Sequence, residues 1–321
     1  DMTRSRGLGD VYKRQVVPGT IHGIVGENGA GKSTLVSILY GFYSADSGTV
    51  AISGEPVRLR SSADAIAAGI GMVHQHFMLV PNFTVLENII LGHEGGSDLK
   101  AGARQAEASL KGITERYGLS VDLQAVVQDL PVGLQQRVEI LKALYRGARI
   151  LILDEPTGVL TPQETEQLFD ILRTLKAQGV TILLITHKLK EIMAVTDFVS
   201  VMRSGEMVDH LQTVQTNPQQ LAQMMVGRPV LLDVGYQAAQ AGQAMLNAEH
   251  LTVTETSGVT SLSDISFSVH QGEILGIAGV SGNGQSELLE VLAGIRKITS
   301  GTVQIGDRKI TAERPASPSE V

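Results

Sequence analysis

The sequence lacks cysteine, long apolar runs and a basic excess, and each absence narrows what the chain can do. Without cysteine there are no disulfides, no thiolate metal sites and no cysteine nucleophile, which fits a reducing compartment. No apolar run approaches the roughly 20 residues that a membrane-spanning helix needs. The net charge of −7 argues against a nucleic-acid partner, which needs a basic face. What is present, 43% apolar residues in a chain of 321, predicts two domains with packed cores.

A glycine-rich segment near the amino end, residues 26–34 (GENGAGKST), fits the pattern GxxxxGK(S/T). Its glycines let backbone N–H groups wrap the α- and β-phosphates of a nucleotide, Lys32 supplies a cation for the β- and γ-phosphates, and Ser33 can coordinate Mg²⁺. An apolar segment precedes the loop and a helical one follows, so a strand, a phosphate loop and a helix are predicted in that order. The predicted nucleotide-binding residues are Gly26, Glu27, Asn28, Gly29, Ala30, Gly31, Lys32, Ser33 and Thr34.

A second loop, residues 279–287 (GVSGNGQSE), repeats the first, and the flanking sequences align without gaps. Ser33 matches Ser286, but Lys32 matches Gln285, which carries no charge. A hydrogen bond to a charged group contributes about 1.5–3 kcal/mol, against about 1 kcal/mol for a neutral one. We predict that this loop binds nucleotide with impaired phosphoryl transfer; the alternative is a retained strand–turn–helix that binds nothing. The residues of this degenerate second site are Gly279, Gly282, Gly284, Gln285 and Ser286.

Four further polar residues, Gln75, Asp154, Glu155 and His187, each follow a predicted buried strand. In parallel α/β sheets, ligands bind at the carboxyl ends of the strands. Asp154 is therefore placed to hold Mg²⁺, Glu155 to polarise the attacking water, and His187 to contact the γ-phosphate. The predicted catalytic residues are Lys32, Gln75, Glu155 and His187, and the predicted metal ligands are Ser33, Gln75 and Asp154.

Two other segments have simpler interpretations. Residues 130–137 (LPVGLQQR) open a helical stretch, and a glycine at a helix start exposes N–H groups that can receive an anion. Thr161, Pro162 and Glu164 are typical of a capping box with proline at the first helical position. His74 and His76, beside Gln75, are interpreted as structural.

In this order and spacing, the motifs resemble the ATP-binding cassette of ABC transporters over residues 16–227 and again from residue 245. Two cassettes, the second with a GNGQS loop, are similar to the tandem ATPase subunit of simple-sugar and nucleoside importers. The resemblance implies an α/β P-loop NTPase cassette with a mixed-sheet core and a helical subdomain at about 88–146, followed by the start of a second cassette. Residues 228–244 are then a linker, and residues 245–321 the amino-terminal part of the second, degenerate domain. Residues 1–15 are interpreted as a non-native remnant, and the chain as a fragment of a longer protein.

Carried over by position, the resemblance makes residues 26–34 the Walker A loop, Gln75 the Q-loop residue, Asp154 the Walker B aspartate, Glu155 the catalytic glutamate and His187 the switch histidine. The signature would be Leu130, Pro131, Val132, Gly133, Leu134 and Gln135. Here the chain departs from the family, because Pro131 replaces the signature serine. Residues 158–161 lack the usual D-loop aspartate, and no aromatic residue is assigned to stack on adenine, Tyr12 being declined as part of the remnant.

Cassettes of this family pair head to tail, so the resemblance implies that the defects at Pro131 and Gln285 fall in one composite site. The other site would hydrolyse ATP with Mg²⁺. The implied partners are integral-membrane permease subunits, with an extracytoplasmic substrate-binding protein acting indirectly, and the implied location is the cytoplasmic face of the cell membrane. Two alternatives stay open. One is a soluble tandem ABC ATPase acting on ribosomes or nucleic acid, which Gln285 and the acidic charge oppose; the other is a nucleotide-binding regulatory module that does not hydrolyse ATP.

Overall fold

The computed structural model describes residues 15–93, 99–229, 242–255, 258–280, 282–306 and 308–312. The chain divides into two compact units, Asp1–Leu232 and Asp233–Val321. All but the last residue of the remnant predicted at residues 1–15, and most of the linker predicted at residues 228–244, lie outside the described residues, as does Tyr12. No helix in the described ranges is long and apolar enough to cross a membrane.

The first unit is built on a mixed sheet, in which the part of the chain described here contributes six strands in the order β4-β5-β6-β1-β7-β8. Neighbouring strands are parallel except β7 and β8, and β2 pairs with β3 in a separate antiparallel hairpin. The strands are β1 Ile21–Val25, β2 Val50–Ile52, β3 Glu55–Val57, β4 Ile70–Val73, β5 Ile150–Asp154, β6 Thr181–Ile185, β7 Phe198–Arg203 and β8 Glu206–Gln212. The central strands β1 and β6 are buried throughout because helices cover both faces of the sheet.

Helices flank this sheet and bury two large apolar clusters against it. They are α1 Lys32–Leu39, α2 Ser62–Ala67, α3 Val85–Ile90, α4 Leu99–Tyr117, α5 Val132–Tyr145, α6 Pro162–Ala177, α7 Leu189–Val195 and α8 Pro218–Val226. Helices α3, α4 and α5 pack on one another, which is the arrangement expected of a helical subdomain near residues 88–146. The capping box predicted at Thr161 is confirmed, since its hydroxyl accepts from the backbone N–H of Glu164 and the Glu164 carboxylate accepts from that of Thr161.

The second unit is an antiparallel sheet with one helix among its described residues, α9 Gln285–Leu292. Its strands are β9 Ala244–Thr254, β10 Thr260–His270, β11 Ser300–Ile305 and β12 Arg308–Thr311, in the order β10-β9-β11-β12. Strands β9 and β10 precede the second loop in the sequence. Residues 274–278, which match β1 in the sequence repeat, differ from β1: they form no strand, and Ile274 is 98% exposed. Strand β1 is bonded on both sides, by β6 and β7, whereas no described strand of the second unit pairs with this segment.

Candidate functional site

The first glycine-rich loop connects the buried end of β1 to the first residue of α1. Gly31 precedes the helix with a φ of 96°, a left-handed conformation that side-chain-bearing residues rarely adopt. Gly26 has no room for a side chain, because a Cβ there would lie 2.5 Å from the carbonyl oxygen of Met202. A left-handed backbone and a close approach of another strand therefore require glycine at positions 31 and 26. The amino end of α1 faces the space in front of the loop.

Lys32 lies inside this loop and is only 6% exposed. Its Nζ donates hydrogen bonds to the carbonyl oxygens of Gly26, at 2.8 Å, and Glu27, at 3.0 Å. A buried ammonium is costly unless it is hydrogen-bonded, and the loop carbonyls supply these bonds. The cation predicted to face the phosphates is thus held at the loop by the loop's own backbone.

A cavity of about 440 Å³ opens in front of the loop. It brings together side chains from four separate segments of the chain, which the sequence had placed at the ends of different strands. The lining residues are Asn28, Gly29, Gly31, Lys32, Ser33, Thr34, Gln75, Asp154, Glu155 and His187. Of the predicted nucleotide-binding residues, Gly26, Glu27 and Ala30 belong to the loop without lining the cavity. Every predicted catalytic residue and metal ligand of the first unit lines this cavity, although their roles stay predictions.

Asp154, the last residue of β5, is half-buried in this cavity. Its pKa is raised from the ordinary value by burial and by the neighbouring Glu155 carboxylate, and the Lys32 ammonium opposes this rise. Burial and the neighbouring negative charge both make the ionised form of Asp154 less favourable. An additional cation beside Asp154 would offset that cost, as expected of a metal ligand.

Glu155 and His187 form a side-chain pair, with Nδ1 of His187 at 2.9 Å from Oε1 of Glu155. Glu155 has a φ of 47°, and a non-glycine residue in this left-handed region carries strain of order 1–3 kcal/mol. Its backbone N–H donates to the carbonyl of Ile185 at 2.9 Å, and its carbonyl accepts from Gly158 at 3.2 Å. The strained backbone is therefore tied to the end of β6, the strand that leads to His187.

The signature segment lies outside the lining of this cavity, at the amino end of α5. Pro131 is the N-cap residue and makes no side-chain cap, as expected where a serine hydroxyl is missing. The backbone N–H of Gly133 donates to Oε1 of Glu164 at 3.2 Å, and the Gln135 side chain donates to the Leu130 carbonyl at 2.9 Å. One of the N–H groups predicted to receive an anion is thus bonded to a carboxylate of α6.

The contacts that hold the loop carrying Gln75 were not predicted from the sequence. Glu139 accepts the backbone N–H of Met78 at 2.7 Å, and Lys142 donates to the Met78 carbonyl at 2.9 Å, so two side chains of α5 hold one residue of this loop. A glutamate and a lysine three positions apart on a helix are visible in a sequence, but a backbone partner is not. His74 packs against the rings of Phe42 and Tyr40, which agrees with a structural role.

Two glycines of the second loop have the same backbone conformation as their counterparts in the first. Gly282 and Gly284 have φ values of 88° and 93°, close to the 82° and 96° of Gly29 and Gly31. Helix α9 begins at Gln285, whose side-chain amide lies against Gly279. Ser286 follows it and is exposed. The second unit therefore has a left-handed glycine turn before a helix that begins with glutamine where the first begins with lysine, and the nucleotide-binding role of this loop stays a prediction.

A glycine-rich loop between a central parallel strand and a helix, with an acidic pair at the end of another parallel strand, β5, defines the P-loop class of nucleotide-binding folds. The sequence profile of the family described as "ABC transporter" matches residues 11–158 and 262–321, and the chain belongs to this family. The predicted cassette fold is thereby confirmed.

Curated relatives of the chain are named as import ATP-binding proteins. The chain is 47% identical to the glucose import ATP-binding protein TsgD13 of Haloferax volcanii, over 92% of this chain and 59% of that protein. It is 44% identical to the nucleoside import ATP-binding protein NupA of Lactococcus lactis, over 100% and 64%. It is 48% identical to the guanosine import ATP-binding protein NupO of Bacillus subtilis, over 97% and 61%. The chain thus spans less than two thirds of the length of these relatives.

Solved structures show the same cassette fold. A nucleotide-free ATP-binding cassette from an ABC transporter superposes with a TM-score of 0.56 at 26% identity, covering 64% of this chain and 88% of that one. The ADP conformation of the cassette MJ1267 gives a TM-score of 0.56 at 27% identity, covering 66% and 85%.

Proposed function

We propose that this chain is the ATP-hydrolysing part of an importer for nucleosides or simple sugars, with a catalytic first cassette and a degenerate second one. The observation that carries the proposal is the meeting of Lys32, Gln75, Asp154, Glu155 and His187 around one cavity at the phosphate loop. The relatives named for glucose, nucleoside and guanosine import support the importer branch.

ATP would bind with its phosphates on the loop, at residues 26–34. The backbone N–H groups of the loop and the amino end of α1 would hold the α- and β-phosphates, and Lys32 would exchange its bonds to Gly26 and Glu27 for bonds to the β- and γ-phosphates. This exchange trades two neutral acceptors for charged ones, which strengthens the bonds of a buried ammonium.

Mg²⁺ fits the donors that the cavity offers. Hard cations prefer oxygen, and the hydroxyl of Ser33, the amide of Gln75 and the carboxylate of Asp154 all line the same space. Few protein ligands suffice, because Mg²⁺ keeps several waters and takes phosphate oxygens. When bound, it would neutralise charge on the transferred phosphoryl group. Such a cation would also offset the burial and the Glu155 charge that raise the pKa of Asp154.

Hydrolysis would be carried by the Glu155–His187 pair. Glu155 would orient and polarise the attacking water, and His187 would hydrogen-bond the γ-phosphate while holding the Glu155 carboxylate in place. Gln75, which lines the same cavity, would sense the γ-phosphate. In the second cassette, Gln285 would grip phosphate without a charge, so that nucleotide binds and phosphoryl transfer is impaired.

The wider assembly belongs to the same proposal. The two cassettes would pair head to tail, each signature meeting the other's nucleotide, and closure on ATP would drive the motion of integral-membrane permease subunits that dock on residues 88–146. An extracytoplasmic binding protein would deliver the solute. The chain would then work at the cytoplasmic face of the membrane, without a nucleic-acid partner.

The experiment is Glu155→Gln in the full-length protein assembled with its permease, assayed for phosphate release from Mg-ATP. Loss of a positioned general base lowers turnover by about 10²–10⁴-fold, and we expect a loss of this size with ATP binding retained. Glu166→Gln is the matched control, because Glu166 is exposed on α6, and its turnover should equal that of the wild type. Wild-type turnover in Glu155→Gln would refute the proposal. Mg-ATP binding with no phosphate release from the unmodified protein would instead identify a regulatory module, and copurification with ribosomes a soluble ATPase.

A further inference from the structure

Helix α7 carries a buried carboxylate, Glu191, that is only 7% exposed. Each of its oxygens accepts a hydrogen bond from a different segment of the first unit. Oε1 accepts from the Thr157 hydroxyl at 2.5 Å, and Oε2 accepts from the Thr186 hydroxyl at 3.1 Å. One side chain thus joins the segment that follows β5 to the segment that follows β6.

These two segments carry the pair to which the proposed function assigns the chemistry. Thr157 lies two residues after Glu155, and Thr186 directly precedes His187. The side chains of Glu155 and His187 meet at 2.9 Å. The bridge through Glu191 therefore joins the same two backbone segments that the Glu155–His187 pair joins, through a separate set of contacts.

The bridge is fully bonded, as a buried carboxylate must be. Removing a carboxylate from water costs several kcal/mol unless hydrogen bonds and a counter-charge replace the solvent. Two hydroxyls supply the bonds, and Nζ of Lys188 lies 3.2 Å from Oε1 of Glu191. Lys188 also donates to the carbonyl of Thr157 at 3.0 Å, which adds a second hold on the segment behind Glu155.

Glu155 needs such a hold because its backbone is in the left-handed region, with a φ of 47°. A non-glycine residue persists there only where the surrounding structure over-determines it. The bond from its own N–H to the Ile185 carbonyl fixes one side of the residue, and the Thr157 anchor fixes the chain two residues later.

We propose that Glu191 is a positioning residue that sets the geometry of the Glu155–His187 pair through the Thr157 and Thr186 hydroxyls. This inference rests on the proposed function of that pair. It predicts that a change at Glu191 affects hydrolysis and leaves nucleotide binding intact. Loosening the bridge misplaces the groups that act on the water and the γ-phosphate, while Lys32 and Ser33, on the loop after β1, keep their positions.

The test compares Glu191→Ala, Thr157→Val and Thr157→Ser in the full-length protein assembled with its permease. A misplacement of about 1 Å at a reacting group costs up to about 100-fold in rate, so we expect Glu191→Ala to lower kcat by about 10- to 100-fold. KM for Mg-ATP should stay within about twofold, since a loss confined to the transition state leaves ground-state binding unchanged. Thr157→Val should lower kcat in the same direction, and Thr157→Ser, which keeps the hydroxyl, should restore it.

Asp197→Asn is the matched control for the loss of a bridging carboxylate. Asp197 accepts from the backbone N–H of Ile21 at 2.9 Å and from Lys176 at 2.6 Å, at the start of β1 and therefore at the opposite edge of the sheet. Its replacement should lower the melting temperature and leave kcat unchanged. A merely structural Glu191 would behave in the same way.

Glu155→Gln is measured in parallel, because it distinguishes a failure of the proposed function from a failure of the inference about Glu191. If Glu155→Gln keeps wild-type turnover, the proposed function itself fails. If it abolishes turnover while folded Glu191→Ala and Thr157→Val keep wild-type kcat, the inference about Glu191 is overturned and the proposed function stands. An increase in KM that matches the loss of kcat, or no rescue by Thr157→Ser, would also overturn it.

Discussion

The first glycine-rich loop leaves a strand that is bonded on both sides, whereas the second follows residues 274–278, which form no strand. Even so, two glycines ahead of each helix have nearly the same backbone conformation. Gly29 and Gly31 have φ values of 82° and 96°, and Gly282 and Gly284 have 88° and 93°. The left-handed turn into the helix is therefore a local feature of these glycines, and it forms whether or not the segment before the loop is a paired strand.

The surroundings of the two loops differ much more than the loops themselves. In front of the first loop, Asp154, Glu155 and His187 arrive from the ends of other strands and complete a cavity. In the second unit the Gln285 side chain instead lies against Gly279. Under the proposed function, the loop would hold the phosphates, and the side chains from the ends of other strands would carry hydrolysis.

The largest effect should come from removing the residue that differs between the two loops. We expect Lys32→Ala to lower ATP turnover of the full-length protein by at least about 100-fold, since removing one preorganised donor to developing charge costs about 10²–10³-fold. Gln285→Ala should change turnover by less than about threefold, because a neutral hydrogen bond contributes only about 1 kcal/mol and serves binding alone. Steady-state phosphate release measures both.

Melting temperatures show whether either variant of this pair has lost its fold. Equal losses of turnover in folded Lys32→Ala and Gln285→Ala would break the comparison, because both loops would then take part in hydrolysis.

The difference between local structure and contacts of distant segments also explains what could be predicted from the sequence. The loops and the Thr161 capping box depend on residues within a few positions, so their patterns are sufficient. Asp154 and His187 were predicted because parallel strands end at the same edge of a sheet. The bridge at Glu191 could not be predicted, since Thr157 and Thr186 come close to it only after β5 and β6 pair.

Residues 274–278 illustrate the opposite limit. Their sequence matches that of β1 closely enough to predict a strand, yet Ile274 and Ile277 are exposed. A parallel strand depends on its neighbours for backbone hydrogen bonds, and no local pattern can replace them.

A second prediction uses a position at which β1 and its counterpart differ, His22 and Leu275. His22 is 3% exposed, and its Nε2 lies 2.8 Å from the Ser200 hydroxyl. Burial, together with the charge of His210, lowers the pKa of His22 from 6.5 to about 4. Below pH 6.5 the unfolded chain therefore binds a proton that the folded chain excludes, so acid favours unfolding. The contribution of neutral His22 to the stability of the first unit is complete above pH 6.5 and is lost as the pH falls toward 4.

Between about pH 7.5 and pH 5, this linkage should lower the free energy of unfolding of the first unit by about 2 kcal/mol. His22→Leu, which copies the second unit, should remove that part of the pH dependence, as measured by urea denaturation followed by circular dichroism. His76→Leu is the control, because His76 is exposed and should leave the slope unchanged. A wild-type slope in His22→Leu would show that His22 is not the group responsible.

The smallest effect should come from restoring the missing charge. In a Lys32→Ala background, which weakens the first loop, we expect Gln285→Lys to raise ATP affinity by about tenfold, or about 1.4 kcal/mol, the typical gain of a charge-assisted bond over a neutral one. Titration with a fluorescent ATP analogue measures it, and Gln285→Met is the control, since it removes the amide without adding charge and should bring no gain. If Gln285→Lys also brings no gain, the charge is not what limits the second loop. The limit would then lie in residues 274–278, because this segment pairs with no described strand of its unit and holds the loop less firmly than β1, which pairs with β6 and β7.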